Sequence, residues 1–177
     1  ADFLRRFFPQ AKLYISAPSW EHHRGIFESA GFAVEQYPYY DAASHGLDFA
    51  GMIAALKGLA PGSVVLLHAS CHNPTGVDLD AGQWAQVVDV CRPAELVPFL
   101  DFAYQGFVES LEADSNAVRA FAAAGLQFLV ANSFSKSFSL YRERVGGLTI
   151  VTESAEESKR VLSQVKRIVR TNYSNPS

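Results

Sequence analysis

The feature that most constrains this chain is the run Ser63–His68, SVVLLH, set between two helix-period stretches. A strand apolar at every position cannot leave one face in water, so it belongs at the centre of a sheet covered on both sides. The stretches around it repeat the pattern. Leu13 to Ile15 reads as a strand, about Glu21 to Ala30 as a helix stopped by Gly31, and Phe32 to Tyr37 as a strand. Asp48 is placed to cap a helix to about Leu59, closed by Pro61-Gly62. Trp84, Val87, Val88 and Cys91 recur at i, i+3, i+4, i+7 and predict a helix from Asp80 to about Cys91. Pro93 limits that helix. Strands over Leu96–Leu100, Leu126–Ala131 and Gly147–Val151 alternate with helices over Ser115–Ala124 and about Ser154–Arg170. Such alternation predicts an α/β fold, a mostly parallel sheet flanked by helices. No repeat or linker divides residues 1–177, so they read as one domain. The first residue is Ala, a helix opens at once, and the chain stops at Asn175-Pro176-Ser177. An internal fragment of a longer protein is expected.

Composition narrows the function. A net charge of −3 provides no basic field for nucleic acid. No apolar run reaches membrane-spanning length, and no secretory leader pattern opens the chain. Cys71 and Cys91 make neither a disulfide framework nor a CxxC pair. A cytoplasmic protein without nucleic-acid or membrane partners is expected. No histidine pair has metal-ligand spacing with acids or thiols, so no metal is expected. Zinc through Cys71 and His72 is the weakest of the alternatives.

In an open α/β sheet, ligands bind beyond the carboxyl ends of the strands. Trp20 follows the first strand here. His68 to Gly76 follow the central one, Asp101 and Tyr104 a third, and Asn132 to Lys136 a fourth. An aromatic, an amide, an acid with a phenol, and hydroxyls with an amine would thus share one pocket. Taken singly, each has a plainer explanation. Lys136 could be a surface amine, Asp101 a turn or cap acid, Trp20 a core ring, and Arg144 the partner of a neighbouring acid.

The segments CHNPTG at 71–76, DFAYQGF at 101–107 and NSFSKSFSLYRERVGG at 132–147 resemble the class I aminotransferases, fold-type I enzymes that use pyridoxal 5′-phosphate. Order and spacing agree, and the resemblance runs through essentially the whole chain. It implies the large pyridoxal-phosphate-binding domain, truncated at both ends. Lys136 would carry the cofactor as a Schiff base and then serve as the catalytic base and acid. Asp101 would hold the pyridine nitrogen protonated, making the ring an electron sink, with His23 supporting Asp101 from behind. Asn73 and Tyr104 would bond the phenolic oxygen, and Trp20 would stack on the ring. Ser133, Arg144 and, more weakly, Ser135 would hold the phosphate. Arg170 would reach across a homodimer to the distal carboxylate of a dicarboxylic substrate.

The resemblance implies transfer of an amino group between an amino acid and a 2-oxo acid such as 2-oxoglutarate, through a pyridoxamine phosphate stage. Phe138-Ser139-Leu140-Tyr141, Gly146-Gly147-Leu148 and residues 95–101 look more like the aromatic-amino-acid enzymes than the aspartate ones. An aspartate aminotransferase is the alternative within the class, and a non-catalytic ligand-binding module the alternative outside it. The family's glycine-containing phosphate loop, a phosphate-touching tyrosine of the partner subunit and the arginine for the substrate α-carboxylate have no counterpart in these residues, so the segment alone is expected to be inactive. Val108 and Ser110 stand where glycines are expected, within a loop that carries no named ligand.

Overall fold

A computed structural model of the chain describes residues 1–172; the closing Asn175-Pro176-Ser177 lies outside them. Helix α1 (Asp2–Phe7) leads into β1 (Leu13–Ala17), α2 (Glu21–Ser29) and β2 (Val34–Pro38). Two short strands, β3 (Tyr40–Asp41) and β4 (Gly46–Leu47), form a small antiparallel ribbon. Next come α3 (Phe49–Lys57), β5 (Val64–His68), α4 (Ala81–Cys91) and β6 (Val97–Phe102). The described residues close with α5 (Asn116–Ala123), β7 (Phe128–Ser133), the one-turn α6 (Phe134–Ser137), β8 (Gly146–Val151) and α7 (Ala155–Asn172).

Six strands form one sheet in the order β2-β1-β5-β6-β7-β8. The first five are parallel, and β8 runs antiparallel to β7. After β2 the chain crosses back to the far side of β1, so the order reverses between β1 and β5, the kind of place where such sheets bind ligands.

Side chains leave each strand alternately to the two faces. Tyr14, Val65, Leu67, Leu100, Phe102 and Val130 pack with Met52, Leu56, Trp84, Val87 and Phe121 from α3, α4 and α5. Leu13, Ile15, Val64, Leu66, Phe99 and Leu129 pack on the other face with Leu4 of α1 and Phe27 of α2. All five residues of β5 are buried, as a central strand covered on both faces requires.

Local signals set the helix ends. Asp80 accepts the Gln83 amide at 2.8 Å while the Gln83 side chain accepts the Asp80 amide at 2.9 Å, a reciprocal cap for α4. That helix ends at Cys91, before Pro93. Asp48 caps α3 by accepting from Gly51. At the sheet edge, a Cβ on Gly146 would stand 2.3 Å from the Asn132 carbonyl oxygen, so only glycine lets β8 approach β7 there.

Candidate active site

Four strand ends converge on one cavity of about 290 Å³. Its lining includes Trp20, His68, Asn73, Asp101, Tyr104, Ser133, Ser135, Lys136 and Arg144. Trp20 opens α2 just beyond β1, and His68 and Asn73 belong to the end and exit of β5. Asp101 is the next-to-last residue of β6, with Tyr104 just beyond the strand. Ser133 closes β7, and Ser135 and Lys136 sit on α6.

Asp101 and His68 are register partners on adjacent strands, so their backbones are held rigidly side by side. His23 of α2 reaches in from outside the sheet. Its Nε2 bonds Asp101 Oδ2 at 2.9 Å, while Ser19 Oγ lies 2.9 Å from its Nδ1. Given an imidazole with one proton, Nε2–H donates to the carboxylate and Nδ1 accepts from the Ser19 hydroxyl. His23 is 4% exposed and Asp101 21%, so the pair is shielded while the acid still faces the cavity. The Trp20 ring stands at 90° to the His23 ring, 5.2 Å away.

The loop after β5 is held by Asp78. Its carboxylate accepts the backbone amides of Cys71 and His72 at 2.8 and 2.7 Å. His72 is fully employed, with Nε2 2.9 Å from Ser16 Oγ and Nδ1 2.7 Å from Thr75 Oγ1, and its ring stacks on Tyr39. Cys71 is a poor zinc ligand here, because burial and the Asp78 and Asp114 carboxylates push its thiol up, away from the thiolate.

Lys136 Nζ lies 4.5 Å from the Tyr104 ring centre and 5.7 Å from that of Tyr141. Ser133 caps α6, its Oγ accepting the Ser135 amide at 3.2 Å. Arg144 takes a left-handed backbone conformation, φ 54°, and donates to the Tyr141 carbonyl at 3.2 Å. The exposed Arg170 lies on α7, outside the cavity lining.

The structure thus brings together every cavity residue expected from the sequence and sets His23 behind Asp101. It adds two. Tyr141 lines the cavity beside Lys136, and His68 fills the space between His23 and His72, with ring centres 5.1 and 4.4 Å away. His68 is 6% exposed, and among the described residues neither of its ring nitrogens has a hydrogen-bond partner. As the last residue of β5, His68 occupies the position that the strand-end rule singles out.

Burial is the main cause that pushes both inner imidazoles down, His68 to about 4 and His72 to about 3, with neighbouring histidines adding to it. Unfolded histidines titrate near 6.5, so between that pH and the folded values the unfolded chain binds more protons. Stability from these two groups is therefore present above pH 6.5 and lost as the pH falls toward 4, by roughly 1.4 kcal/mol per unit for each fully titrating histidine. Urea midpoints of the cofactor-free protein should drop from pH 7 to pH 5, with a shallower drop in His72→Asn. A midpoint flat across that range would contradict the burial of neutral imidazoles.

Chemically, the cavity offers a histidine-backed acid, an indole face, a primary amine, an amide with a phenol, and hydroxyl and guanidinium donors. That set suits a flat heteroaromatic ring with a basic nitrogen, a carbonyl and an anionic group. The family model described as "Aminotransferase class I and II" matches residues 1–177. The chain belongs to this aminotransferase family. Among the relatives of this aminotransferase chain is the aspartate aminotransferase of Pseudomonas aeruginosa, 62% identical over 99% of the chain and 44% of that protein. The aromatic-amino-acid aminotransferase of Escherichia coli K12 is 54% identical with the same coverage. In structure the chain is similar to the aromatic-amino-acid aminotransferase of Burkholderia pseudomallei, solved covalently bound to pyridoxal phosphate. The TM-score is 0.97 and the identity 64%, over 99% of this chain and 44% of that one. The chain spans about 44% of the length of the curated relatives it matches.

Proposed function

We propose that this chain supplies the cofactor-binding domain of a pyridoxal-phosphate-dependent aminotransferase that moves amino groups between aromatic amino acids and 2-oxo acids. The observation that carries the reading is the meeting of Lys136 with the His23-backed Asp101 in one cavity at the carboxyl ends of β5, β6 and β7. Pyridoxal phosphate, when bound, supplies the electron sink for a carbanion at the substrate Cα.

The chain's own residues do the rest. Asp101 holds a proton at the pyridine nitrogen, and His23 fixes the direction and charge of that carboxylate. Asn73 and Tyr104 donate to the phenolic oxygen, Trp20 covers the ring, and the Arg144 fork with Ser133 and Ser135 holds the phosphate. Lys136 would hold the cofactor through Nζ, and the same amine, once freed, would take the proton from the substrate Cα and return it across the imine nitrogen.

The test is reduction of the full-length, cofactor-loaded protein with borohydride, followed by peptide mapping. The label should sit on Lys136. A label on Lys12, Lys57, Lys159 or Lys166 would overturn the site.

A homodimer in which subunits share their sites is part of the proposal. Exposed Phe107, Val108, Leu111, Phe138 and Tyr141 support it, with Tyr141 lining the cavity and Phe107 packed edge-on to Tyr104. Arg170 would act in the partner's site. Arg170→Leu should then lower kcat/KM for aspartate by roughly 2–5 kcal/mol, the cost of breaking a buried charge pair. Tyrosine and phenylalanine should lose much less, because their contact is mainly apolar. Steady-state rates with the three substrates check this, and equal losses would reduce Arg170 to a helix-end base. The second reading, an aspartate aminotransferase, is favoured by the name of the 62% identical Pseudomonas relative. The same rates decide between them.

A further inference from the structure

We propose that His23, His68 and Asp101 form a transition-metal site, selective for zinc-type ions, that can fill only when the cofactor is away. Each residue offers one ligand atom, and all three atoms lie within 4.8 Å of one another. Two imidazoles and a carboxylate are the donor set of many three-ligand zinc centres, with a fourth position open to water.

The geometry needs little change. Ligands about 2.1 Å from a metal stand roughly 3–4 Å apart. The His23 Nε2 to Asp101 Oδ2 separation is already 2.9 Å. Asp101 and His68 are anchored opposite each other on β6 and β5, so two of the three ligands come from the rigid centre of the sheet. The cavity reaches both of them, leaving access for water at the open position.

The independent sign of a ligand is His68. It is a buried imidazole with neither nitrogen satisfied among the described residues, whereas the adjacent His72 has both engaged. Buried polar atoms are nearly always paired, and an orphaned one calls for a partner. A metal on one ring nitrogen would provide it.

The support around His23 also suits ligation. A ligating imidazole usually donates its other N–H to a fixed oxygen. Ser19 Oγ stands 2.9 Å from His23 Nδ1 and can accept as well as donate. On binding, the His23 proton moves from Nε2 to Nδ1 and is donated to Ser19. The freed Nε2 lone pair goes to the metal, and no redox partner is needed.

The occupancy rule rests on the pyridoxal phosphate reading. If Asp101 holds the pyridine N–H, a dication on the same carboxylate would stand beside that proton and repel it, so cofactor and metal compete for one acid. Metal would then mark the cofactor-free protein and slow its reloading.

The probe is zinc chloride, with cobalt chloride as the spectroscopic substitute, added to full-length protein stripped of cofactor. One zinc per chain should bind, measured by calorimetry and elemental analysis, and cobalt should give the intense visible bands of a low-coordinate N,O site. His68→Gln and Asp101→Asn should each weaken binding at least tenfold. Borohydride-reduced protein, with the cofactor fixed in place, should take up no zinc there. Absence of stoichiometric uptake by the wild-type protein would overturn the proposal. So would unchanged affinity in both variants, or equal uptake by the reduced protein. The cobalt spectrum of wild-type protein tests the site even if a variant folds poorly. Mapping the reduced lysine on the same preparation tests the cofactor reading separately, so failure of one is not mistaken for failure of the other.

Discussion

Lys136→Ala in the full-length protein is expected to abolish transamination, by about 10⁴-fold or more in kcat, while leaving the fold intact. Lys136 Nζ is the amine that lines the cavity, and among the described residues it stands over the rings of Tyr104 and Tyr141 rather than in an ion pair. On the proposed reading, removing it takes away both the covalent anchor and the group that would carry the proton from Cα. Thermal midpoints should move little, because a partly exposed lysine contributes little to packing. Pre-steady-state mixing with amino acid would show cofactor still present but no proton abstraction. Turnover within tenfold of wild type would remove Lys136 from the chemistry.

The next largest effect is expected at Asp101. Asp101→Asn keeps the size and can still accept from His23 Nε2, so the pair with α2 survives. On the proposed reading, the substitution removes the charge that would keep a proton on the pyridine nitrogen. A ring without that proton delocalises a carbanion poorly, and the loss should reach the order of 10³-fold in rate, about 4 kcal/mol of transition-state stabilisation. The fall should appear in kcat more than in the amount of cofactor bound. His23→Gln should show a smaller fall of the same kind, since the carboxylate remains but loses its orienting partner. Rates within tenfold of wild type for Asp101→Asn would make the acid a turn residue.

The sheet was legible in the sequence because burial on both faces leaves an unmistakable mark. SVVLLH became β5, and the helix written in Trp84, Val87, Val88 and Cys91 became α4. Strand starts and ends moved by one or two residues, as with Phe128–Ser133 for the expected Leu126–Ala131. The ribbon of β3 and β4 escaped notice, because two-residue strands carry no period. The direction of β8 escaped too. Alternation of apolar residues reports which side a strand buries, not which way it runs.

The site was legible through one rule, that chemistry gathers beyond the carboxyl ends of parallel strands. His68 was harder to read. It is 33 positions from Asp101 along the chain, yet register makes them neighbours, and spacing in sequence says nothing about register. The same fact hid the cluster with His23 from a search based on ligand spacing. Arg170 is a different case: its exposed place on α7 is that of an ordinary helix-end base, and its proposed role belongs to an assembled pair of chains.

The cap of α6 has a thermodynamic consequence. Ser133 Oγ spends one lone pair on the Ser135 amide. A hydroxyl also has a proton to give, and that proton is still available to an anionic oxygen in the cavity. Capping and anion holding therefore draw on opposite ends of one O–H dipole and polarise each other in the same sense. If Ser133 also holds the phosphate, as proposed, the turn that presents Lys136 and the grip on that anion would be linked equilibria of like sign, each firming the other.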